Sequence, residues 1–101
     1  MEEVKILGVE NGVLQVALSG EIHAGNADEF YAAVTAAYEQ PSDITFDGTE
    51  LGFIDSTALG AFVKILKTVK TDGKKMTLKN LQPKIKKLFL ICALDRIMEI
   101  L

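Results

Sequence analysis

Ser56 is the residue in this chain best placed for chemistry. It lies in Phe53-Ile54-Asp55-Ser56-Thr57-Ala58-Leu59-Gly60, where a short strand region gives way to an amphipathic helix. Ser56 and Thr57 are expected within the first helical turn, where backbone N–H groups lack an intrahelical partner and the helix dipole is positive. A phosphate held there and left exposed gains about 0.3–1 kcal/mol from the helix end. Asp, Ser and Thr also cap helices well, so on residue types alone capping ranks ahead of signalling. Gly60 tilts the balance somewhat. Glycine inside a helix costs about 1 kcal/mol relative to alanine, and it marks either close packing or the close approach of a partner.

Other reactive groups are sparse. His23 is the only histidine, which excludes histidine-cluster metal sites, and a lone loop histidine reads as a solvated side chain. No nucleophile stands beside an evident base. Gly48 and Gly52 are not part of a phosphate-binding loop with its following lysine. Cys92 is the only cysteine and sits in the apolar run Leu88–Leu94, so it reads as a buried packing residue that forms no internal disulfide. The expectation is a protein that is not an enzyme and has no catalytic residues, no metal and no cofactor.

The elements that must position Ser56 follow from periodicity. Val4–Val9 and Val13–Leu18 read as strands joined by Glu10-Asn11-Gly12, a hairpin turn because Asn-Gly tolerates positive φ. Gly20–Asn26 reads as a loop. Ala27–Tyr38 has helical spacing, with Asn26 as N-cap and Asp28 and Glu29 favouring the positive end of the dipole. Ile44–Phe46 reads as a short buried strand closed by a turn at Gly48. A second helix is predicted from Ser56 to about Val69, with Leu59, Phe62, Val63, Leu66 and Val69 as its apolar stripe. Met76–Leu78 is a further strand, and Pro83 opens a third helix over Lys84 to about Ala93. Leu88–Cys92 is predicted to be that helix's core side, and Ile97–Leu101 a last short strand. The predicted order is β-β-α-β-α-β-α-β. This gives an α/β fold with a small mixed sheet of four to five strands and helices mainly on one face.

Composition bounds the rest. The 101 residues suit one domain, and the longest apolar run falls far short of the roughly 20 residues that cross a bilayer. The acidic N-terminus is no secretory signal, so a soluble cytoplasmic protein is the simplest expectation. Residues 1–50 carry ten acids against Lys5 alone, whereas residues 51–101 carry ten basic groups and four acids. Halves that interleave in a compact fold need not make two poles of this asymmetry. The net charge of −3 argues against a dedicated nucleic-acid binder. The cluster Lys84, Lys86 and Lys87 reads as a solvated helix face.

These residues resemble the STAS domain family of anti-sigma factor antagonists. Asp55-Ser56-Thr57-Ala58-Leu59-Gly60, preceded by Phe53-Ile54, looks like that family's phosphorylation motif. Leu18-Ser19-Gly20-Glu21-Ile22 looks like the loop after its second strand. Leu88-Phe89 and Leu94-Asp95-Arg96-Ile97 look like its third helix and the turn into its last strand. His23 stands where the family often has aspartate, and Ala58 where it often has glycine. The chain stops at Leu101, where many relatives continue into a further helix, so a single domain over 1–101 without that helix is expected.

The resemblance implies that Ser56, rather than Thr57, is phosphorylated by a serine kinase that is itself the anti-sigma factor. The unphosphorylated form would bind that kinase and free a sigma factor, and a serine phosphatase would reset the switch. Gly20, Glu21, Ile22, His23 and Ala24, with Asp55, Ser56, Thr57, Leu59 and Gly60, would form the docking surface. Two other readings stay open: a STAS-like accessory subunit on the ATPase of a lipid-trafficking transporter, and a scaffold subunit of a large stress-signalling assembly.

Overall fold

The computed structural model describes residues 1–101. Its elements are β1 (Val4–Glu10), β2 (Val13–Ile22), α1 (Ala27–Ala37), β3 (Asp43–Ile54), α2 (Ser56–Thr71), β4 (Met76–Lys79), α3 (Pro83–Ile91) and β5 (Glu99–Ile100), with a single 3-10 turn at Leu94–Arg96. The five strands form one mixed sheet in the order β1-β2-β3-β4-β5. Only the β1–β2 pair is antiparallel; every later pair is parallel. The hairpin closes at Asn11 and Gly12, both with positive φ, as the Asn-Gly signal requires.

The sequential strand order explains the layering. Each βαβ unit steps in the same direction, and right-handed crossovers then place every helix on the same face. A phenylalanine cluster shows it: Phe46 of β3 packs against Phe30 of α1 and Phe62 of α2, and Phe62 against Phe89 of α3, at centroid distances of 4.8 to 6.0 Å among the four rings. Leu14, Val16 and Leu18 of β2 and Ile44 of β3 fill the same core by strict alternation. Ala58, Ala61, Phe62, Ile65, Leu66 and Val69 form the buried stripe of α2, while Leu59 and Val63 pack at its margin. Near the far ends of the helices, the Tyr38 hydroxyl donates to Asp72 Oδ2 at 2.8 Å.

Several expectations are corrected. β2 continues through Gly20, Glu21 and Ile22, because parallel pairing with β3 persists past two register shifts. Gly48 lies inside a twelve-residue β3 rather than in a turn. A Cβ there would lie 2.5 Å from Leu81 Cδ2, so any side chain at this position requires that leucine to shift. The run in α3 is not a core face. Its helical period turns only Ile85 and Phe89 inward, leaving Leu88, Leu90, Ile91 and Cys92 exposed. Asn26 occupies the N-cap position of α1, but its side chain does not cap that helix.

Candidate functional site

The site lies where β2 and β3 end side by side, with Ile22 paired to Ile54 at the carboxyl edge of the sheet. The chain leaves β2 into the turn 23–26 and leaves β3 directly into α2. Asp55 joins the two. Its Oδ1 accepts the Ala58 N–H and its Oδ2 accepts the Ala24 N–H, both at 2.9 Å. One carboxylate therefore caps α2 and pins the neighbouring turn. These bonds, the one from Ala58 foremost, hold the Asp55 carboxyl below the usual carboxylate range against the opposing effect of desolvation.

The turn has its own internal bracing. Asn26 Oδ1 accepts the His23 N–H and Asn26 Nδ2 donates to the Glu21 carbonyl, both at 2.9 Å. His23 Nδ1 accepts the Gly25 N–H at 2.9 Å, which fixes the orientation of the ring over the turn. A Cβ on Gly25 would lie 2.8 Å from His23 Cε1, so glycine is what lets the imidazole fold back over the turn. His23 is thus half-buried and structural rather than a solvated loop side chain.

Asp55 takes the capping role, and this separates it from its neighbour. Ser56 is the first helical residue of α2 and is exposed, as is Thr57. Gly60 follows Ser56 by one turn on the same helix face. It too is exposed, and a Cβ there would meet nothing within 4 Å. Core packing therefore does not account for this glycine. Glu21, Ala24, Asp55, Ser56, Thr57 and Gly60 reach the surface around this edge, and Leu59 is partly covered. Ile22 does not belong with them; it is fully buried, because strand alternation turns it into the core.

Three contributors were not named as site residues from the sequence. Asn26 and Gly25 act through turn geometry, which their residue types alone do not disclose. Phe53 is 44% exposed on the strand beside Glu21. Its signal was position: an aromatic one residue from the buried Ile54 in a strand must face the other way.

The fold that carries this site has known counterparts. The sequence profile of the STAS domain matches residues 5–101. The chain belongs to the STAS domain family. It is 33% identical over 87 residues to the anti-sigma-B factor antagonist of Bacillus subtilis (strain 168), covering 86% of this chain and 80% of that protein. Among solved structures, the tm1081 protein of Thermotoga maritima superposes with a TM-score of 0.79 at 26% identity, over 96% of this chain and 82% of that one. The Bacillus cell fate determinant SpoIIAA in its phosphorylated form superposes with a TM-score of 0.70 at 19% identity, over 97% and 90% of the two chains. At that identity the SpoIIAA likeness concerns the fold alone. The resemblance to STAS domains and the expectation of an α/β fold with a small mixed sheet of four to five strands are both borne out, the sheet having five.

Proposed function

We propose that this STAS domain is a cytoplasmic anti-sigma factor antagonist switched by phosphorylation of Ser56. In this reading the unphosphorylated form binds an anti-sigma factor serine kinase and releases a sigma factor. The kinase then phosphorylates Ser56 and ends the interaction, and a serine phosphatase restores it. The observation that carries the reading is the division of labour at the helix start. Asp55 alone provides the cap, so Ser56 is free of that duty and stands exposed at the first position of α2. The similarity to an antagonist of Bacillus subtilis over most of the chain supports the same assignment.

The physics of the switch is local charge. Phosphorylation adds about −1.5 to −2 charges beside the Asp55 carboxylate. The helix end accommodates that charge in the free domain. An interface formed over the same edge must either desolvate the phosphate or place it against existing acids. A penalty of about 3 kcal/mol weakens binding roughly a hundredfold.

The test is intact-mass and fragment analysis of the protein incubated with ATP and serine kinases from its own genome. The expected result is one added phosphate on Ser56, absent in Ser56→Ala. The phosphorylated form should then bind the modifying kinase at least tenfold more weakly. Failure of every kinase to modify the chain, with co-purification of a transporter ATPase instead, refutes the reading and makes Ser56 a bystander of the Asp55 cap.

A further inference from the structure

The strand order converts the charge asymmetry of the sequence into an asymmetry of the molecule. Because the strands follow one another across the sheet, the two halves of the chain do not interleave. One side holds β1, β2 and α1, and over residues 1–42 it carries seven acids against Lys5 alone. The other holds β4, α3 and β5, and over residues 73–101 it carries seven basic residues against Asp95 and Glu99. These poles stand at opposite edges of a sheet in a molecule only about 30 Å across, with principal extents of 31 × 29 × 20 Å. Most of these charged side chains are exposed.

Each pole also exposes apolar surface. On the acidic side the unpaired outer edge belongs to β1, where Ile6, Leu7 and Val9 are exposed, Val9 at 63%. On the basic side Leu90, Ile91 and Ile97 are exposed, Ile91 at 68%. These two patches flank opposite ends of the sheet and carry surroundings of opposite sign. Scattered apolar residues are ordinary on a protein surface, but two such groups within complementary fields are suited to one another.

We propose that copies of this chain associate head to tail, the β1 edge of one seated on the α3–β5 edge of the next. The contact is heterologous: each molecule uses one pole as donor and keeps the other free, so growth continues beyond a dimer unless the chain of copies closes into a ring. Like poles repel, which disfavours the isologous dimer. The electrostatic contribution is screened by salt, because the Debye length falls from about 10 Å at 0.1 M to about 3 Å at 1 M. This association is independent of Ser56 and of any kinase.

The test is sedimentation velocity on the full chain across a concentration series at low and high salt. Two charge-reversal variants accompany it: Glu2→Lys with Glu10→Lys on the acidic pole, and Lys84→Glu with Lys87→Glu on the basic pole. All four positions are exposed, and circular dichroism checks that both variants remain folded. The expected result is a wild-type mass that climbs past that of a dimer at low salt and falls back at 1 M salt. Each variant alone should self-associate at least tenfold more weakly than wild type, because the swaps cut the net charge of the altered pole from −6 to −2 or from +5 to +1. An equimolar mixture of the two should give a dimer and nothing larger, since each supplies the one intact pole the other lacks. A wild-type protein that stays monomeric at every concentration, that stops at a dimer, or whose growth survives charge reversal overturns the proposal. So does a mixture that stays monomeric.

Discussion

Replacing Phe62 with alanine probes the packing that seats α2, and with it Ser56, on the sheet. Phe62 is 0% exposed. Its ring lies 4.8 Å from that of Phe30, 5.3 Å from Phe46 and 5.4 Å from Phe89, so it alone joins all three helices to β3. Truncating a buried phenylalanine to alanine costs about 3–5 kcal/mol, and loss of three aromatic contacts places this site near the upper end. The whole domain is worth about 5–15 kcal/mol at this chain length. At about 4–8 °C per kcal/mol, the melting temperature should fall by about 16–40 °C. Phe62→Leu removes about three carbons and should cost about 2 kcal/mol, half the effect or less. Phe53→Ala, at a site 44% exposed, is the control and should shift the melting temperature by no more than about 5 °C. Calorimetry or thermal circular dichroism reads all three. If Phe62→Ala melts within about 5 °C of wild type, or no lower than Phe53→Ala, the phenylalanine cluster is not what anchors α2.

Asp55→Ala should loosen two segments at once: hydrogen exchange at the Ala24 and Ala58 amides should accelerate together, since both donate to the same carboxylate. Protection retained at Ala24 would show that the turn stands without the cap. Acid titration should expose the same carboxylate together with Asp47, whose carboxyl is held low chiefly by the Thr49 hydroxyl, then by the Thr49 N–H. Both folded-state values lie below the unfolded one of about 3.9, so their stabilisation is complete above that pH and is lost as pH falls through the folded values. The melting temperature should therefore drop steeply below about pH 4, and Asp55→Asn with Asp47→Asn should flatten that slope; an unchanged slope refutes the assignment. Gly48→Val should cost about 1–3 kcal/mol by displacing Leu81, and a neutral effect in chemical denaturation would show that the Leu81 side chain can move aside.

The sequence by itself determined the order of elements, the hairpin at Asn11-Gly12, the helix start after Asp55 and the family. Each of these signals acts within a few residues: positive φ at a tight turn, a carboxylate reaching an amide three residues on, apolar side chains repeating every turn. Ser56 was legible for the same reason, because its place at a helix start follows from its immediate neighbours. Ambiguity arose wherever the deciding partner lay far along the chain. Gly48 reads as a turn until Leu81 is found against it, and Gly20–Ile22 as a loop until β3 pairs with it. The Leu88–Cys92 run looks like core because its composition is apolar, yet a short helix packed on one side only can turn just one stripe inward. The bond from Ala24 to Asp55 spans 31 residues and makes a turn and a helix start into one site. The separation of charge into poles likewise depends on strand order, which is a choice among pairings that local propensity leaves open. Tertiary structure decided these features because side-chain packing and strand pairing are energies of contact between distant segments, and no local pattern records which segments will meet.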